Sequence, residues 1–305
     1  MIVALLGLLV HNTLLNMRLR GIQSGFGFLG DPAGFDIGEG LFTFDSAQSY
    51  AMALLAGVLN TLRVALLGIV FTTLIGGLVG VGRFSRNALV RGLCRAHVEF
   101  FRNIPVLLQL LMWYLIFTEV LPDALTPWRW GAVFLSKGGL SYPSPSWAGG
   151  ALVWDVPFLG EFAVEGGAAL TPEFMALLLG LTLYTSAFVA EVVRAGIAAV
   201  PLGQIEAAQA LGLPPRLYMR LVTLPQALRV IIPPLTNQYL NLTKNSSLAV
   251  AIGYPDVVSI ANTAINQTGR AVECIALIML VYLTTSLSTS LLMNAYNART
   301  ALRAR

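Results

Sequence analysis

Five long apolar stretches limit what this chain can fold into: Leu54 to Val81, Val98 to Val120, Phe174 to Val193, Val230 to Ile252 and Val272 to Met293. A helix that crosses a bilayer needs about 20 apolar residues, and each stretch is long enough. Composition agrees, since only 11% of the 305 residues are charged, against roughly 25% in an ordinary soluble domain. The expected fold is an all-α polytopic membrane protein with five core helices. A sixth stretch, Met1 to Leu15, is apolar but short. It has no basic flank before it and no small-residue cleavage site, and it continues into Met17-Arg-Leu-Arg20, so it reads poorly as a signal peptide. The expectation there is a first membrane helix whose N-terminal part is missing from this chain.

Charge sets the orientation. Arg83, Arg86, Arg91, Arg95 and Arg102 face one acid, Glu99, in the segment 83–102, and Arg194, Arg216, Arg220 and Arg229 stand against Glu206 alone. The tail holds Arg299, Arg303 and Arg305 without an acid, whereas the loop 122–173 carries Asp123, Asp155, Glu161, Glu165 and Glu173 against Arg129 and Lys137. The positive-inside rule puts the three arginine-rich segments, including the C-terminus, in the cytoplasm and the loop 122–173 outside. Arg18 and Arg20 then fall outside, a local violation, and 21–49 becomes an extracytoplasmic connector. The domain expectation is a membrane helix with its connector over 1–53, a membrane domain over 54–295 and a basic tail over 296–305. A pI near 9.3 would suit nucleic acid, but basic charge split into three patches by membrane helices forms no binding stripe. The partner surface is lipid. Cys94 and Cys274 read as apolar filler, and His11 and His97 have no second ligand at metal spacing.

The stretch 198–233 is the most informative. Pro201-Leu-Gly203 marks a turn, Gln204 to Leu211 a short helix stopped by Gly212 and Pro214, and Arg216 to Val222 a second short helix ending near Pro225. Helices this short are unstable alone in water and must be docked on something. A compact helix-turn-helix on the cytoplasmic face is a docking element for a partner.

Glu206-Ala207-Ala208, three residues, Gly212, nine residues, then Val222-Thr223-Leu224-Pro225 resembles the EAA-x3-G-x9-I-x-LP signature of permease subunits of binding-protein-dependent ABC importers, with Val in place of Ile. The likeness implies that 199–225 is the loop such permeases insert into a cleft of their ATPase, with Gly212 allowing the sharp turn and Glu206 anchoring the loop or facing the ATPase. Asn60-Thr-Leu62, Gly82-Arg-Phe-Ser-Arg86, Phe101-Arg-Asn-Ile-Pro105, Leu183-Tyr-Thr-Ser186, Glu191-Val-Val-Arg194, Lys244-Asn-Ser-Ser-Leu248 and Gly253-Tyr-Pro-Asp256 are similar to the polar amino acid branch. Ser24-Gly-Phe-Gly-Phe-Leu29 and Ala33-Gly-Phe-Asp36 resemble the subgroup carrying general or acidic L-amino acids and their amides. Members of that subgroup are longer before the first helix and within 122–171. The resemblance implies a bacterial inner-membrane subunit that forms half of a pore. A second, related permease completes it, two ATP-binding subunits dock on the cytoplasmic loops, and a periplasmic amino acid-binding protein delivers substrate. The chain contains no G-x-x-x-x-G-K-[ST] motif, so ATP and Mg belong to the partner subunits, and this chain is a transport component with no cofactor of its own.

Polar groups inside a membrane are costly and usually line a path. Asn237, Gln238, Tyr239, Asn241, Thr243, Lys244, Asn245, Ser246 and Ser247 crowd the fourth stretch. Asn237, Asn241 and Lys244 share one helix face by spacing, which is the expected pathway lining. Lys244 could receive a substrate carboxylate or pair with a neighbouring helix. Tyr184, Thr185 and Ser186 could face the same cavity or bond within their own bundle. Glu191 with Arg194, Arg95 with Glu99, and Glu99 with Arg102 stand at pairing distance on a helix, and Gly76-Gly77-x-x-Gly80 offers a small surface for close packing. An ion-coupled secondary transporter would show an inverted repeat and ionisable residues at helix centres. A membrane enzyme would need a nucleophile, base or metal cluster at depth, and neither pattern is clear.

Overall fold

The computed structural model describes residues 24–148 and 151–300, with scattered positions between 5 and 19. Most of the expected Met1 to Leu15 span and the arginines at 303 and 305 lie outside the described residues. In chain order come a short 3-10 turn Phe26–Gly30, then α1 (Tyr50–Gly82), α2 (Ala88–Asn103) and α3 (Val106–Leu115), which a π turn extends over Ile116–Val120. Eight short strands follow: β1 (Trp128–Trp130), β2 (Val133–Ser136), β3 (Gly139–Tyr142), β4 (Ser144–Ala148), β5 (Ala151–Asp155), β6 (Phe158–Leu159), β7 (Val164–Glu165) and β8 (Ala168–Leu170). The remainder is α4 (Pro172–Ala198), α5 (Leu202–Ala210), α6 (Pro215–Tyr218) with a π turn Met219–Thr223, α7 (Leu224–Asn245) with a 3-10 turn Ser246–Ile252, α8 (Val257–Thr268) and α9 (Ala271–Thr300).

The fold is mainly helical, and the all-α expectation gives way between Val120 and Pro172. There β1-β2-β3-β8 form an antiparallel sheet, and β4-β5 and β6-β7 form hairpins. Its turns use Gly131, Gly139, Gly166 and Gly167, all at positive φ. Among the described residues three helices, Tyr50–Gly82, Pro172–Ala198 and Ala271–Ala295, are long and apolar enough to cross a membrane, or five if each of two bent pairs is one span.

The second apolar stretch is no continuous helix. α2 and α3 meet at 104°, because Pro105 forces its predecessor out of the helical region. Ile104 is extended at φ −103, ψ 128. The bend leaves carbonyls at the end of α2 without intrahelical donors, and buried Gln109 supplies them: its Nε2 donates to Phe101 O at 2.9 Å and Ile104 O at 2.8 Å. α4 starts where Thr171 Oγ1 accepts from Phe174 N at 3.1 Å with Pro172 at the first helical position, the combination that best opens a helix.

By contacts the chain divides into residues 1–61 with 255–284, and 62–254 with 285–305. In the first, the 24–49 segment builds a core with the start of α1, α8 and the start of α9, where Phe28, Phe44, Tyr50, Ile260 and Cys274 are buried. Asn60 Nδ2 donates to Glu39 O at 2.9 Å and Pro255 O at 3.0 Å, and Gly25 N donates to Glu273 Oε1 at 2.5 Å. In the second, α4 packs against α1, α2, α3 and α7. Glycines set how closely: a Cβ on Gly76 would sit 2.6 Å from Val189 Cβ, one on Gly80 2.7 Å from Ala190 O, and one on Gly180 2.6 Å from Leu110 Cδ2. Gly77 has open space around it, so the expected small-residue surface uses Gly76 and Gly80 alone.

Candidate functional site

The residues 199–225 form a tight reverse turn. α5 ends at Gly212, whose φ of +77 lies in the left-handed region that only glycine enters without strain. Leu213 N donates to Ala208 O at 3.1 Å and Gly212 N to Gln209 O at 2.8 Å, the paired bonds of a Schellman stop. The second alanine of the EAA run therefore accepts the bond that closes the turn, and Ala208 is buried while Glu206 and Ala207 are exposed. No hydrogen bond or ion pair among the described residues engages the Glu206 carboxylate. Leu202 and Leu211 present apolar surface on either side of the exposed acid.

The second short helix does not end near Pro225. It passes through the π turn Met219–Thr223 into α7. A proline lacks an N–H and its ring collides with the carbonyl four residues back. The wider π turn just before Leu224 and Pro225 relaxes that collision, so the chain runs helical from Pro215 to Asn245.

On α7, Asn237, Asn241 and Lys244 are exposed, as their shared face requires. A cavity of about 290 Å³ lies between α7 and α4, lined by Tyr184, Thr185 and Phe188 from α4 and by Gln238, Asn241 and Asn245 from α7. The expected set is thus divided. Tyr184, Thr185, Asn241 and Asn245 meet there, while Asn237 and Lys244 stand outside the lining. Ser246 turns inward, is buried, and donates to Thr243 O at 2.7 Å, because it lies four residues after buried Leu242 and so falls on the buried side of the helix, away from Asn237, Asn241 and Lys244. Ser186 also leaves the cavity: it donates to Leu183 O at 2.8 Å and lies 3.0 Å from His97 Nε2. Phe188 is a lining residue that sequence reasoning missed; its signal is its spacing of four from Tyr184, and the two rings stand 5.0 Å apart. The lining offers three carboxamides, two hydroxyls and an aromatic ring without a charged group, chemistry suited to hydrogen-bonding a small polar solute.

One ionic cluster sits beside this site. Glu191 accepts from Arg194 at 2.5 Å and also pairs with Arg83 at the end of α1. The expected Glu191–Arg194 pair therefore gains a partner from a second helix. No Arg95–Glu99 or Glu99–Arg102 ion pair forms among the described residues: the Arg102 guanidinium stacks over Phe188 at 5.2 Å, and Asn103 Nδ2 donates to the Glu99 carbonyl at 2.7 Å.

A helical bundle with an exposed EAA turn defines a class of membrane transport subunit, and residues 72–302 match the family described as binding-protein-dependent transport system inner membrane component. The chain belongs to this family. It is 44% identical to the general L-amino acid transport system permease protein AapQ of Rhizobium johnstonii, over 96% of this chain and 87% of that protein. It is 36% identical to the glutamate/glutamine/aspartate/asparagine transport system permease protein BztB of Rhodobacter capsulatus, over 97% and 90% respectively. Among solved structures, an amino acid ABC transporter crystallised with histidines aligns at a TM-score of 0.61 with 26% identity, covering 82% of this chain and 95% of that one. A MetNI methionine ABC transporter in an inward-facing form shares the fold at a TM-score of 0.56 and 19% identity.

Proposed function

We propose that this chain is the permease subunit of an ATP-driven amino acid importer, that it forms half of the translocation pathway, and that acidic L-amino acids and their amides are its cargo. The observation that carries the reading is one continuous helical run: the exposed EAA turn at Gly212 leads directly through Pro215 to Asn245 into the cavity-lining face of α7. The names of AapQ and BztB support the cargo class. In this reading 54–295 is the membrane domain with five spans, 122–173 lies outside, 199–225 is the cytoplasmic coupling loop, and the C-terminus is cytoplasmic in a bacterial inner membrane. Glu206, Ala207, Ala208, Gly212, Leu224 and Pro225 dock on an ATPase subunit that carries ATP and Mg. A second, related permease faces the exposed Asn237, Asn241 and Lys244 side, and a periplasmic binding protein supplies cargo.

The transport cycle follows from differential binding, the only means by which a ligand shifts a conformational equilibrium. ATP-bound, closed ATPases hold the two coupling loops together and favour the outward-open cavity; release of ADP favours the inward one. The cavity's carboxamides and hydroxyls give a polar solute hydrogen bonds to exchange for water without a fixed charge to trap it. Nothing in the fold or among the relatives favours an ion-coupled transporter. Copurification with ATPase subunits, together with uptake into proteoliposomes that needs internal ATP, is the expected result. Uptake that persists without ATP under an ion gradient sinks the importer reading.

A further inference from the structure

The hairpin region between Val120 and Pro172 has a surface apart from both the α4–α7 cavity and the EAA turn. Four of the chain's five tryptophans stand on it: Trp128 is 51% exposed, Trp130 59%, Trp147 75% and Trp154 62%. Side chains alternate faces along a strand, and cross-strand partners share one. The register pairs Trp128 with Leu135, Trp130 with Val133, and Leu135 with Leu140, which in turn pairs with Leu170. All six therefore lie on one face of the sheet. On the opposite face Phe134 and Ser136 are buried, and the exposed Arg129 lays its guanidinium over the Phe134 ring at 5.3 Å. In the β4-β5 hairpin Trp147 stands opposite Leu152 and Trp154 opposite Pro145 on one exposed apolar face, with Ser144, Ser146, Val153 and Asp155 on the other.

We infer that this aromatic face seats in the headgroup region of the bilayer, with phospholipid as its occupant. Three observations favour lipid. The face is continuous with the membrane bundle, since Leu170 at one end packs into the α3–α4 core two residues before the apolar span Pro172–Ala198 opens. It carries no charged side chain, whereas a protein-docking patch has a polar, hydrogen-bonding rim. Tryptophan, an apolar ring with one N–H donor, is the residue most at home where hydrocarbon meets water. The inference rests on the membrane reading of the neighbouring helices and is independent of which side the loop occupies.

The test is fluorescence quenching of the assembled transporter in nanodiscs. With the tryptophans of the partner subunits replaced by phenylalanine, Trp113→Phe leaves only the four hairpin tryptophans. In phospholipid brominated near the top of the acyl chain this variant should lose most of its emission, and aqueous iodide should quench it little. A second protein carries all five tryptophans as Phe and Leu283→Trp at an exposed position of the apolar helix Ala271–Ala295, and it should be quenched by lipid brominated near the chain end. If the hairpins are iodide-accessible and indifferent to bromolipid while position 283 is quenched, the inference is wrong and the membrane reading stands. If iodide quenching disappears when a tryptophan-free substrate-binding protein is added, the face is a protein-docking site, and the inference is equally wrong. An unquenched position 283 overturns the membrane placement beneath both.

Discussion

The Gly212 turn gives a prediction with a built-in control. A Cβ at Gly212 meets nothing within 4 Å, and the same holds at Gly203 on α5. Space therefore cannot distinguish Gly212→Ala from Gly203→Ala. Backbone conformation can: Gly212 sits at φ +77, where an L-residue costs about 1–2 kcal/mol. Gly203 lies in the first turn of Leu202–Ala210, where alanine is favoured over glycine by a fraction of the roughly 1 kcal/mol it gains in a helix interior. The two substitutions should act with opposite sign. A cost of about 1–2 kcal/mol lowers the population of the closed turn roughly 5–30-fold relative to its open forms. Gly212→Ala should then cut ATP-dependent uptake in proteoliposomes and speed protease cleavage between Gly212 and Pro215, while Gly203→Ala preserves uptake and slows cleavage. Gly212→Asn should recover part of the loss, since asparagine tolerates the left-handed region. Equal behaviour of the two alanine variants, or an asparagine variant worse than alanine, refutes the backbone argument.

Three further outcomes follow from the packing. Gly76→Ala forces a methyl to within 2.6 Å of Val189 Cβ and 2.8 Å of Ser186 O and should lower stability by about 1–3 kcal/mol, read as the melting temperature in detergent, with Gly77→Ala close to the parent. Glu191→Gln leaves the Arg83 and Arg194 guanidiniums without their carboxylate and should cost about 1–3 kcal/mol in urea denaturation. Arg194→Ala, whose side chain is 36% exposed, should cost less than about 1 kcal/mol. At the cavity, Asn241→Leu should raise the KM for uptake several-fold, while Lys244→Met, outside the lining, leaves KM unchanged; a raised KM in the lysine variant would restore it as a cargo ligand.

The apolar runs named the long helices because length and hydropathy survive any packing detail. Bends were harder to read. Asn103-Ile104-Pro105 holds the signal for the α2–α3 corner, but an apolar count runs across it. Val257–Thr268 went unseen because its Ser, Asn, Thr and Gln dilute the apolar signal below that of a span. The strands went unseen because their alternation is broken every few residues by glycine turns. Within the site, the face rule placed Asn241 correctly relative to Tyr184 and Thr185. The same rule carried one residue further excludes Ser246, which follows buried Leu242 by four and points inward with it. Gly212 was legible in full, because a glycine after a short helical run and before proline has one low-strain geometry to adopt.

The run from Pro215 to Asn245 also has a mechanical meaning. At 1.5 Å per residue it is a rod of about 45 Å, anchored at its base beside the EAA turn and ending at the cavity wall. Pro233 and Pro234 stand inside it, and each removes one N–H from the ladder, so the helix is locally weakened between the turn and the cavity wall. In the proposed cycle a displacement at the base would reach Asn241 through this weakened stretch, and stiffening it with Pro233→Ala and Pro234→Ala would change how much of the motion arrives.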